Sequence, residues 1–279
     1  MTRTRAPSGG RPRRTRPAEH AGAPSLDALA ARWARLGVLF AMRPTAATVD
    51  LECLVVDTAR AARRDERLFV CAASWLAQHH GFVNGRRLSA LAGTVEREAS
   101  AVLGALLSFA SDGRIRAPEF DAALIHCRPL SPSRPLFTVM DTMDSLRARV
   151  RRHALPLFRA WGFWHDDATL KPSAIRPVRW LIGHVPELRA RAVLGPSVEA
   201  DLMASAIAGD VTVRDVARAT DVSYAATHDA ASRLVGRGLL VRERVAQRQL
   251  LRPTAAGRAA LLQSADIRAE RGSRTTMRR

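Results

Sequence analysis

The run TVRDVARATDVSYAATHDAASRLVGRGLLVRERVAQRQLLRPTAAGR, residues 212–258, changes its hydrophobic period part-way along, and that change limits what the chain can fold into. Up to Leu234 the apolar residues recur every three or four positions, as on one face of a helix. From Leu239 to Pro253 they alternate with charges, as in a half-covered strand. Thr212 stands where a helix N-cap belongs, with Val213, Val216 and Ala219 following on one face. Asp221-Val222-Ser223 is a short polar break in which Ser223 can cap a second helix, its inward face being Thr227, Ala231 and Leu234. Gly238 closes that helix as a residue free to take positive φ. LLVRERV (239–245) and QLLRP (249–253), around Ala246-Gln247-Arg248, then predict a β-hairpin. Thr254 caps a further helix in which Gly257 permits close packing, and 198–208 is a helix stopped by Gly209-Asp210.

Two short helices joined by a tight turn make a helix-turn-helix, to which the hairpin adds a wing. In DVS before the second helix, RLVGRGLLVRE from its end into the hairpin, and TAAGR after it, residues 198–263 resemble the winged helix-turn-helix of MarR-like and ArsR-like bacterial transcription regulators. The resemblance implies three helices plus a wing bound to double-stranded DNA. Helix 223–237 would lie in the major groove, and the wing along the backbone or minor groove. By position it puts Ser223, Tyr224, Ala225, His228, Ser232 and Arg233 on or beside the reading helix. There Ser223 and Tyr224 can donate to phosphates or bases, and His228 to a guanine edge. Arg242, Arg244, Arg248 and Arg252 would supply phosphate contacts. Ala225 and Ala226 depart from the Arg, Asn or Gln often found where base edges are read, and Asp229 repels phosphate. Because one such unit reads few base pairs, the resemblance also implies a homodimer on paired half-sites.

The charge agrees in sign. Lysine and arginine number 44 against 26 acidic residues, a net +18, which points to a polyanion such as nucleic acid or an anionic membrane surface. The excess is spread out: residues 1–24 hold six Arg and one Glu, whereas 196–263 hold nine Arg and seven acids. The Arg-, Pro- and Gly-rich residues 1–24 predict a disordered basic arm, and 264–279 a basic tail.

A shift of 128 residues lays 82–108 beside 210–236 without a gap. Asn84 meets the cap Thr212, and Leu88, Leu91, Ala99, Leu103 and Leu106 meet Val216, Ala219, Thr227, Ala231 and Leu234. A second, degenerate helix-turn-helix is therefore open, with Glu96, Arg97, Ser100 and Gly104 outward; Glu98 beside them makes it a poor phosphate surface, suited to packing or dimerisation. Two such units would loosely resemble plasmid replication initiators. A third reading makes the C-terminal unit a scaffold for contacts with another protein.

Elsewhere, apolar periodicity predicts a helix from Ser25 ended by Pro44, and helices near 48–63, 67–80 and 95–110. Short strands are expected in 113–127, and a domain boundary in the proline-rich CRPLSPSRPLF, 127–137. Residues 25–127 then form a helical domain, and 128–195 a helical linker, dimerisation or effector region in which Trp161, Trp164 and Trp180 could line a pocket. No Gly-rich phosphate loop, GxSxG elbow or HExxH occurs, and neither an enzyme nor a cofactor is expected. His79-His80 are adjacent and so cannot both face one metal from a regular helix, His126-Cys127 lacks a second ligand pair, and WHDD (164–167) reads as a polar loop capping the next segment rather than as a catalytic or metal site. Three scattered cysteines fit a reducing cytoplasm, and the best apolar run, LGVLFAM (36–42), is too short to span a bilayer. The fold class expected is mainly α, with a C-terminal winged helix-turn-helix behind a larger helical region.

Overall fold

The computed structural model describes residues 24–111, 117–167 and 169–262; the expected basic tail and all but the last residue of the expected arm lie outside them. The chain is mainly helical. In order come α1 Leu26–Arg35, α2 Leu51–Ala61, α3 Glu66–His79, α4 Gly85–Ala92, α5 Arg97–Ala110, α6 Pro118–Leu124, β1 Arg134–Pro135, α7 Asp144–His153, α8 Pro156–Arg159, β2 Phe163–Trp164, α9 Val178–His184 and α10 Pro186–Leu194. Then follow α11 Val198–Ala208, α12 Val213–Thr220, α13 Tyr224–Gly236, β3 Leu240–Val245 and β4 Arg248–Pro253, with helix again over 255–262. Among the described residues no helix is long and apolar enough to cross a membrane.

Local chemistry starts most helices where it should. Ser25, Asp50, Asp65 and Asn84 each accept from the backbone N–H three residues on, satisfying a donor that a helix start leaves unpaired. α1, however, stops well before Pro44. Gly37 takes φ 88°, a conformation open to glycine, and the backbone of Gly37 pairs with Arg176 while Leu39 pairs with Ala174.

One hydrophobic core runs from Leu29 to Ala192. Phe69 is its hub, with ring centroids 5.7 Å from Phe137, 6.0 Å from Phe109 and 6.3 Å from Phe158. Trp33 and Trp75 pack 5.6 Å apart, and each indole N–H finds a buried acceptor, Thr58 Oγ1 and Leu36 O respectively. The expected boundary at 127–137 falls inside this core. Cys127, Leu130, Leu136 and Phe137 are all buried in it, and β1 lies parallel to β2. Prolines there serve a buried crossing, not a linker. Residues 117–124 are also not strand, because Pro118 sits at the start of α6, where its fixed φ suits a helix.

The shifted pair is present in part. α4 and α12 are both eight residues long and each begins from a capped residue. The packing differs: α4 lies mainly on α6 and α2, and α5 on α2 and α3, so the two are not stacked on each other as α12 is on α13. Ser100 and Gly104, expected outward, are buried. A Cβ on Gly104 would stand 2.4 Å from the Trp161 ring, whose N–H donates to Ser108.

A second, smaller core gathers Ala200, Leu202, Met203, Val213, Val216, Ala230, Ala231, Leu234, Leu240, Leu251 and Leu261. Ionic contacts join it to the first. Arg191 on α10 donates to both Glu52 oxygens (2.6 and 2.9 Å), to Asp201 on α11 (3.0 Å) and to Phe82 O. Glu52 also accepts from the N–H of Asn84, the α4 cap. Arg87 on α4 pairs with Asp50 and reaches Ala219 O on α12 at 3.5 Å. Burial pushes the Glu52 carboxyl up, but Arg191, the Asn84 N–H and Arg87 outweigh it and hold the group ionised.

Candidate nucleic-acid interface

The helices and hairpin of 198–253 assemble as their capping residues dictate. Thr212 Oγ1 accepts from Asp215 N–H while Asp215 accepts from Thr212 N–H, a reciprocal cap at the start of α12. The Thr212 hydroxyl also donates to the Asp215 carboxylate, and that bond, the Thr212 N–H and, more weakly, Arg248 and Arg218 hold the carboxyl below its usual range. Asp221 takes the left-handed conformation (φ 53°) to end α12, and Ser223 Oγ caps α13 by accepting from Ala226 N–H. Thr227, Ala230, Ala231 and Leu234 then turn inward and are fully buried, which fixes the rotation of α13. β3 and β4 pair from Leu240 opposite Pro253 to Val245 opposite Arg248, around a two-residue turn at Ala246-Gln247. Val211 adds a bridge to Leu251, so the segment between α11 and α12 joins the hairpin base. Gly257 lies close on Leu239 O, which a Cβ would approach to 2.2 Å.

That rotation leaves Ser223, Tyr224, Ala225 and Asp229 exposed, with His228 and Ser232 half-buried beside them. Tyr224 and His228 stack one helical turn apart, centroids 6.0 Å. Arg242 crosses from β3 to this face, donating to Ser232 Oγ at 2.6 Å, with His228 Nε2 3.4 Å from the same guanidinium nitrogen. Four expected positions on two elements thus form one continuous patch: Tyr224, His228, Ser232 and Arg242.

The remaining expected arginines are placed differently. Arg233 is turned away from this patch and pairs with Glu199 on α11 (2.7 Å), as does Arg237 (3.1 Å). Arg248 pairs with Asp215, and Arg252 with Asp210 and Glu243. Those pairs are solvent-exposed, so each is worth at most about 1 kcal/mol and can open. Among the described residues, Arg214 and Arg218 on α12 and Arg244 on β3 are exposed and make no ion pair. The first two were not picked out from the sequence. Their signal was there: they stand four apart on one side of α12, across from the buried Val216.

Two histidines of the discounted constellations, His79 and His165, are buried in the body. His79 is buried with Nε2 3.0 Å from Arg176 O, and burial pushes its pKa down to about 4. His165 packs edge-on between Phe137 and Phe158, and burial lowers it also. Asp167 caps Thr169, and the three cysteines are free thiols. The tryptophans stay apart: Trp161 covers Gly104, Trp164 stacks with Arg151, and Trp180 stacks on His184. No group of three or more His, Cys, Asp or Glu able to hold a metal occurs among the described residues.

Comparison with protein-family models, with curated proteins and with solved structures gave no match to this chain.

Proposed function

We propose that the chain is a DNA-binding transcription regulator whose residues 198–262 act as a winged helix-turn-helix of the kind found in MarR-like and ArsR-like regulators. The observation that carries this reading is the patch shared by α13 and the hairpin: Tyr224, His228 and Ser232 on a helix free on its outer side, with Arg242 brought beside them. α13 enters the major groove, where Tyr224 and His228 offer hydrogen bonds to base edges. Arg214, Arg218 and Arg244 bind phosphates, joined by Arg248 and Arg252 once their exposed pairs open. Val211 bridging to the hairpin, and the reciprocal cap of α12, support the same topology.

One such unit spans few base pairs, so the working form is a homodimer on paired half-sites. Replication initiation by tandem units loses its support, because α5 has no free face to present.

The test is selection of bound fragments from the source genome by the purified protein, followed by a salt series on the selected duplex. Retention of a large preference over random duplex as salt rises is the expected result. Equal binding of every duplex, collapsing together with salt, sinks the sequence-reading part.

A further inference from the structure

Away from the C-terminal unit, α7 reads DSLRARVRRH and buries a single residue, Val150. Arg147, Arg149, Arg151 and Arg152 spread over the remainder of its surface, all exposed. Most arginines of α1 to α3 are tied to carboxylates of the body, as in Arg32 with Asp57, Arg35 with Glu187 and Arg63 with Glu98. α7 is not built that way. Arg147 meets only its neighbour Asp144, itself 88% exposed, and Arg149 only Asp166 at 4.0 Å. Arg151 and Arg152 have no carboxylate in ion-pair reach among the described residues. Arg159 adds a further cation at the same end, donating to the carbonyls of Arg151 and Arg152.

An aromatic ring adjoins this charge. The Arg151 guanidinium lies 4.9 Å from the centroid of the half-buried Trp164 ring. Both line a cleft of about 660 Å³ with Arg134, Arg147, Asp141 and Asp144. A guanidinium over an aromatic face keeps N–H donors with which it can take two oxygens of one phosphate. α7 contributes nothing to the second core, so this face is separate from α13 and its hairpin.

We propose that α7 and the Trp164 cleft form a second nucleic-acid contact, which takes the phosphodiester backbone of duplex DNA without reading its bases. Exposed arginines fanned over one helix, with Arg151 and Arg152 free of any carboxylate partner among the described residues, match a polyanion, and Arg151 over the Trp164 ring matches phosphate.

The experiment measures binding of the full chain to a random-sequence duplex across a salt series. Arg149→Gln, Arg151→Gln and Arg152→Gln together should lower the slope of log K against log salt by about one per arginine, leaving the melting temperature unchanged. Replacing the same three by lysine should restore most of the slope, because phosphate contacts follow charge. Arg214→Ala with Arg244→Ala, made in parallel, should lower the slope further when combined with the glutamine set; operator preference reports on the C-terminal reading alone. A wild-type slope in the glutamine variant overturns the proposal. So does loss of binding to phosphatidylglycerol vesicles with DNA binding intact, which would assign the face to a membrane. A fall in melting temperature that lysine does not rescue would make the arginines structural and also overturn it.

Discussion

α4 and α5 begin with the same local plan as α12 and α13: eight helical residues from a side-chain cap, a tight break, and a longer second helix with buried residues at matching positions. Leu88 and Val216 are both buried, as are Ala99 and Thr227, Leu103 and Ala231, and Leu106 and Leu234. Their surroundings set them apart. α5 is enclosed by α2, α3 and Trp161, whereas α13 rests on α11 and α12 and is open on its far side. Position 104 shows it most directly: glycine under an indole in one pair, and in the other Ser232 holding Arg242. Local pattern sets where these four helices start and stop, but what packs around them decides whether any face is left to meet a ligand.

The largest effect that would test this contrast lies where the pairs meet. Arg191→Ala should cost about 3–5 kcal/mol by leaving the ionised Glu52 buried without its partner. Denaturant unfolding would show it, and an unchanged midpoint would mean that the junction carries little of the stability.

Acid should strike the body before the C-terminal unit. His79 has a folded pKa of about 4 against an ordinary 6.5, so the unfolded chain takes up the proton first. The resulting stabilisation is complete above about pH 6.5 and is lost as pH falls toward 4, at most about 3 kcal/mol. His79→Gln, which keeps a donor for Arg176 O, should flatten that acid limb of the melting curve.

Next in size is the direct exchange at the matched position. Gly104→Val should destabilise by about 1–3 kcal/mol through overpacking against Trp161. Ser232→Val should leave the unfolding free energy within about 0.5 kcal/mol of wild type but weaken DNA binding by releasing Arg242. Equal stability losses at both positions would erase the contrast.

The smallest effect separates reading from anchoring on α13 and the hairpin. Tyr224→Ala should cost about 1 kcal/mol of preference for the selected operator, while Arg244→Ala weakens all duplexes alike and lowers the salt slope by about one. Competition binding distinguishes the two.

Much of the C-terminal unit is legible from residues alone, because its signals are local: Thr212 and Ser223 cap, Gly238 takes positive φ, and the period changes after Leu239. The body is less legible for a physical reason. REASAVLGALLSFA is small or apolar nearly all round, the mark of a helix covered on every side, and an outward face at Ser100 and Gly104 is then not available. Gly37 rather than Pro44 ends α1 because a backbone pairing to residues 174–176, distant in sequence, draws the chain away. Arg233 carries no local sign that Glu199, thirty-four positions earlier, will claim it. For 127–137, proline content suggested a break, yet Leu130, Leu136 and Phe137 between the prolines are the residues that fill the core.

Arg242, held between Ser232 and His228, has a thermodynamic consequence. A free arginine side chain gives up as much as about 2 kcal/mol of rotamer entropy when a ligand immobilises it. This one is ordered before any ligand arrives, because Ser232 already fixes its guanidinium. In the DNA complex proposed above, what it would form with a phosphate or base would be offset by little lost freedom.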